Sequence, residues 1–94
     1  MSAFTVTAII DGDTFDVIPR WQWNGQTGSR VRPAGYDAPE LHTYGSQGAK
    51  DKLSRLILGN QVDLRTAHRV DLERLVCEVY FRNKNLAAYF SEYQ

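Results

Sequence analysis

Residues 4–17, FTVTAIIDGDTFDV, set two runs of alternating apolar residues on either side of an Asp-Gly pair. Phe4, Val6, Ala8 and Ile10 alternate with Thr5, Thr7 and Ile9, then Phe15 and Val17 alternate with Thr14 and Asp16. That period of two is the period of a strand with one buried face, and Asp-Gly between two such runs is a strong hairpin signal. The chain therefore begins with two antiparallel strands that need further strands or a helix to cover their apolar face. With 94 residues there is room for one core, so residues 1–94 form a single domain. Cys77 is the lone cysteine, which excludes an internal disulfide and a thiolate metal cluster. Its place in RLVCEVYF reads as a small apolar strand residue.

The rest of the chain supplies the cover. PRWQWNGQTG (19–28) is rich in breakers and reads as a long exposed connection. SRVRPAGYDAPE (29–40) opens as a third strand, and Pro33, unable to donate a ladder hydrogen bond, predicts an edge or a bulge there. From Ser46 to Leu58 the period becomes helical: Ala49, Leu53, Leu56 and Ile57 share a face, Asp51 and Arg55 stand four apart, and Gly59-Asn60 ends the helix. QVDLRT (61–66), with Val62 and Leu64 inward, and RLVCEVYF (74–81) read as strands four and five, and RNKN turns the chain after the fifth. Asn85 then caps a short helix in LAAYFSEY. Three strands, a helix, two strands and a helix fit a mainly β, α+β domain: a five-stranded Greek-key barrel of OB type. Eleven basic and eleven acidic residues cancel, so affinity for a polyanion must come from a local arrangement. No apolar run reaches membrane-spanning length, and MSAFTV is too short and polar for a signal peptide, so no membrane partner is expected.

Three stretches carry chemistry: IDGDTF, VRPAGYDAPE and LERLVCEVY. Taken singly, each has a plain explanation. Asp11 and Asp13 serve a turn, Asp37 and Glu40 flank Pro39 in a polar turn before the helix, and Arg32 and Arg74 are solvated strand ends. The Asp-Gly-Asp triplet does not open an EF-hand, because Phe15 and Gln22 stand where oxygen ligands belong. Their joint order is more specific than any one of them. His42 and His68 have no partner at ligand spacing and read as surface residues. Trp21 and Trp23 can stack a base, or cover the mouth of a barrel. Arg65, Arg69 and Arg82 are scattered among Asp63, Asp71 and Glu73 and read as mixed surface.

The order D-G-D-T, then R-x4-D-x-P-E, then a helix and an arginine opening a strand resembles the staphylococcal-nuclease (thermonuclease-like) family of calcium-dependent phosphodiesterases, over about residues 4–90. The resemblance implies calcium on the carboxylates of Asp13 and Asp37 and on the main-chain carbonyl of Ala38, with Asp11 in its outer shell. It implies Glu40 as the residue that positions or deprotonates the attacking water, and Arg32 and Arg74 as the phosphate-binding pair. The chemistry asks for these residue types. Planar guanidiniums donate paired hydrogen bonds to phosphate oxygens, and calcium takes carboxylates, carbonyls and water. Two departures stand out. Asp71, Leu72 and Glu73 occupy the places of a basic residue, a tyrosine and a glycine, setting Glu73 beside Arg74, and the chain ends at Gln94 where the family continues through a third helix. The expected function is calcium-dependent cleavage of DNA or RNA, favouring single strands or frayed ends, with little sequence preference. The alternative is a nucleic-acid-binding module on the same barrel with weak or no catalysis.

Overall fold

The computed structural model describes residues 3–94; Met1 and Ser2, the start of MSAFTV, lie outside the described residues. The elements are β1 (Ala3–Asp11), β2 (Thr14–Trp23), β3 (Gln26–Pro33), α1 (Ser46–Ile57), β4 (Gln61–Asp71), β5 (Arg74–Phe81), the two-residue β6 (Lys84–Asn85) and a 3-10 segment, Leu86–Tyr93. Neighbouring strands run in the order β3-β2-β1-β4-β5-β6, and a parallel pairing of β3 with β5 closes the first five into a barrel. The expected architecture and element order are those observed. Closure pairs β3 with β5 only at Val31–Pro33; over 26–30 it pairs with β2 alone.

The inward residues of the strands fill the barrel: Val6, Phe15, Val17, Val31, Leu64, Leu75, Cys77 and Val79 are all buried. The helix α1 adds Ala49, Leu53 and Ile57 from one face, at the spacing read from the sequence, while Leu56 packs at the margin. Gly59 takes positive φ at the helix exit. Asp51 does not pair with Arg55; its carboxylate accepts a hydrogen bond from Gln47 at 2.8 Å. Among the described residues no helix is long and apolar enough to cross a membrane.

Four expectations need correction in whole or in part. Residues 19–28 are mostly exposed, as expected, but they are not a loop: β2 and β3 continue through them, and Asn24-Gly25, with φ of 51° and 79°, makes the reversal. Trp21 is buried there and its Nε1 donates to the Arg30 carbonyl at 2.8 Å. Gly28, read as a breaker, makes room for that indole, since a Cβ at 28 would lie 2.7 Å from Trp21 Cζ2. Burial of the indole therefore overrides the local loop signal. Pro33 marks no bulge, and at it β3 is paired on one side only, with β5, the pairing to β2 ending at Val31. Pro33 is the last residue of β3, paired with Cys77, and the next amide, Ala34 N, donates to the Cys77 carbonyl at 2.8 Å. The alternation of β1 slips between Val6 and Ala8, where the register with β2 shifts, so Ile9 packs toward the core in place of Ile10. The last helix is a 3-10 segment broken at Phe90, although Asn85 Oδ1 caps it from the Ala87 amide as expected.

Candidate functional site

The hairpin between β1 and β2 reverses over Gly12-Asp13, with Asp11 paired to Thr14. Neither central residue lies in the left-handed region, so the turn is not of the kind Asp-Gly most often makes. Glycine is needed here for a different reason. A Cβ on Gly12 would lie 2.6 Å from Ala49 Cβ on α1 and 2.7 Å from Ala38 Cβ. The turn is thereby pressed between the helix and the segment after β3. Asp11 Oδ1 accepts from the Asp13 amide at 3.0 Å, an Asx-type closure that aims the second aspartate.

Asp13 is 7% exposed. Its Oδ2 accepts from Arg32 Nη2 at 3.2 Å and from the Ala38 amide at 3.1 Å, and Thr14 Oγ1 donates to Oδ1 at 3.4 Å. Burial, together with the hydrogen bond and charge of Asp11, holds the Asp13 carboxyl above the usual carboxylate range, against the pull of Arg32. Arg32, next to last in β3, spans two acids: the same Nη2 also meets the Asp37 carboxylate. Burial works against its charge, but the hydrogen bonds and charges of Asp37 and Asp13 outweigh burial and raise its pKa. Asp37 and Glu40 are exposed on the segment leaving β3, whose backbone is fastened by the Asp37 amide donating to the Tyr93 carbonyl at 3.1 Å.

Arg74 opens β5 at the far wall. Its Nε donates to the Asp71 carbonyl at 3.3 Å and its Nη2 lies 3.5 Å from Asp71 Oδ2. The acid facing Arg74 is therefore Asp71, not the adjacent Glu73, which lines a separate hollow with Arg20 and Arg30. That hollow holds balanced charge, because Arg30 is already engaged by Asp16 at 3.1 Å.

All seven residues singled out in the sequence, Asp11, Asp13, Arg32, Asp37, Ala38, Glu40 and Arg74, line one cleft of about 580 Å³ together with Leu41 and Asp71. Five carboxylates face two guanidiniums there, an excess of three negative charges. Among the described residues no three His, Cys, Asp or Glu side chains converge closely enough to enclose an ion by themselves. Two carboxylates with a main-chain carbonyl remain a donor set of hard oxygens, and the surplus negative charge favours a cation. The arrangement therefore fits a calcium ion in the chemistry of its donors.

Asp71 and Tyr36 were not legible as site residues. Tyr36 sits inside GYDAP, and its aromatic ring beside a cluster of acids was the available signal. Of the other candidates, His42 is exposed, and His68 pairs with Glu78 at 2.8 Å, outside the cleft. Trp21, 1% exposed, has no face to offer a base, and Trp23 is half-buried at the β2–β3 turn.

No protein-family model matches the chain. It is similar to a protein named probable endonuclease LCL3 from Leptosphaeria maculans, 41% identical over 58 residues, a match covering 55% of this chain and 20% of that protein. The chain spans about a fifth of the length of that relative.

Proposed function

We propose that this barrel is a nuclease of the staphylococcal-nuclease type, hydrolysing phosphodiester bonds of DNA or RNA with calcium. The observation that carries the reading is the single cleft holding Asp11, Asp13, Asp37 and Glu40 with Arg32 and Arg74. The similarity to a protein named an endonuclease supports it.

Asp13, Asp37 and the Ala38 carbonyl are the residues that would hold calcium, with Asp11 outside them. When bound, calcium would offset two of the three surplus negative charges, polarise the phosphate and leave positions for water. Arg32 and Arg74 each present a planar fork of donors to the non-bridging oxygens, where charge grows in the transition state. Both guanidiniums are held in waiting by carboxylates, Arg32 by Asp13 and Asp37 and Arg74 by Asp71, so phosphate binding exchanges one anion for another. Glu40, exposed at the rim, can reach a water without desolvation and orients it or accepts its proton.

The test is cleavage of single-stranded DNA and RNA with calcium and then with a chelator. Activity is expected with calcium alone, and roughly a hundred- to thousandfold loss for Arg32→Gln or Glu40→Ala. Unchanged activity in both variants overturns the reading. Binding of the oligonucleotide without any cleavage supports the binding module instead.

A further inference from the structure

Tyr36 lies within the second motif but does not line the cleft; it is 4% exposed beneath it. Its hydroxyl donates to the Gly12 carbonyl at 2.9 Å. That carbonyl shares a planar peptide unit with the Asp13 amide, which donates to Asp11 Oδ1 at 3.0 Å. One peptide plane is thus pinned at both ends, its oxygen by Tyr36 and its N–H by Asp11. The plane sets the direction in which Asp13 leaves the turn.

Tyr36 is itself fixed from the C-terminal side. Its ring stacks on Phe90, with centroids 4.5 Å apart and planes 8° from parallel. Lys52 of α1 places its ammonium 4.5 Å from the Phe90 centroid and pairs with Glu92 at 2.7 Å. Gly35 approaches Ala87 so closely that a Cβ at 35 would lie 2.8 Å from Ala87 Cβ. The next residue after Tyr36, Asp37, is held by its amide on the Tyr93 carbonyl at 3.1 Å. The 3-10 segment therefore grips both backbones that carry the acids.

We propose that Tyr36 is a positioning residue for the Asp11–Gly12–Asp13 turn, and that Leu86–Tyr93 is the buttress that holds it there. The placement of Asp13 relative to Asp37 then depends on residues that touch neither carboxylate. What this placement serves rests on the proposed function; the placement itself does not.

Tyr36→Phe keeps the ring and its stack and removes the hydroxyl. Val79→Ala, in the core of β5 and outside the cleft, is the control for lost stability alone. The first readout is hydrogen exchange at the Asp13 and Ala38 amides, normalised to the core amide of Val31, since Ala38 N donates to Asp13 Oδ2. Both amides are expected to exchange about fivefold faster in Tyr36→Phe, the size of one net hydrogen bond, and to stay at the wild-type ratio in Val79→Ala. Phe90→Leu, which removes the stack and leaves the hydroxyl, is expected to speed the same two amides. The second readout is calorimetric calcium titration, with binding about fivefold weaker in Tyr36→Phe and unchanged in Val79→Ala. Wild-type protection of both amides in Tyr36→Phe, or equal loss in Val79→Ala, overturns the positioning role. Wild-type protection in Phe90→Leu overturns the buttress. Faster amides in Tyr36→Phe, with no calcium binding even by wild type, leave Tyr36 in its role and overturn the proposed function.

Discussion

Gly12→Ala tests how tightly the acid turn is built into the fold. The added methyl would sit 2.6 Å from Ala49 Cβ, 2.7 Å from Ala38 Cβ and 3.2 Å from the Ala49 carbonyl carbon. Carbon atoms rest at about 3.5–4.0 Å, so roughly 1 Å of separation must be found. None of the three atoms can rotate away, because each is fixed by backbone. Either α1 shifts, disturbing the buried Leu53 and Ile57, or the turn lifts and carries Asp13 with it. Overpacking of this kind costs about 1–3 kcal/mol, and two simultaneous contacts argue for the upper part of that range. Gly12 is not in the left-handed region, so alanine meets no backbone strain and regains about 0.4–1 kcal/mol by restricting the unfolded chain.

The net expectation is about 2 kcal/mol of destabilisation, read as a lower urea midpoint with unchanged m, or as a Tm lower by about 8–16 °C for a domain of this size. Ala49→Gly in the same chain removes the shortest contact. Alone it weakens α1 by about 1 kcal/mol, but combined with Gly12→Ala it should restore part of the loss, a coupling of about 0.5–3 kcal/mol in the double-mutant cycle. A Gly12→Ala protein within about 0.5 kcal/mol of wild type, or strictly additive variants, would refute the close-packed turn.

Two further outcomes follow from the ionisable groups. Because the Asp13 carboxyl is raised in the folded state, the folded protein holds that proton more tightly than the unfolded chain, and the contribution is lost as pH rises. Without calcium, Asp13→Asn should therefore gain stability relative to wild type as pH rises above about 4, and parallel Tm-against-pH curves would contradict this. Cys77 is buried with its thiol pushed up to about 12, first by burial and then by the charge of Glu78. Its labelling by a disulfide-exchange reagent at pH 8 should follow global unfolding, and rapid stoichiometric labelling of the native protein would contradict that.

Strands with one buried face were legible because burial and period coincide: Val62, Leu64, Leu75, Cys77 and Val79 stand where the alternation puts them. The site acids were legible because short motifs place them on elements that the barrel closes together. Legibility failed where a long-range contact sets the local rule. Gly28 breaks nothing because Trp21 fills its space. The glycine of the opening turn was read for the right position and the wrong reason. Its requirement is the approach of Ala49 and Ala38, which are 37 and 26 positions away in the chain and invisible in a local window. Asp71 was read as mixed surface because the geometry of the 71–74 reversal, with Leu72 and Glu73 both at positive φ, brings its carboxylate back onto Arg74.

The charge of the cleft ties these observations to the proposed chemistry. A site with three surplus negative charges repels a phosphodiester, so the two arginines cannot attract one by themselves. Both are engaged by acids, and Arg32 stands between Asp13 and Asp37, where its positive charge answers theirs. In the proposed function, a divalent cation on the same acids would take over that role and leave the guanidinium donors for phosphate. Cation and anion binding are then linked, each strengthening the other by the same factor. A protein of zero net charge has no general attraction for nucleic acid to lend this site. Under the proposed function, the acids of the cleft would make anion binding conditional on a cation, the behaviour expected of a metal-dependent hydrolase and not of a simple basic groove.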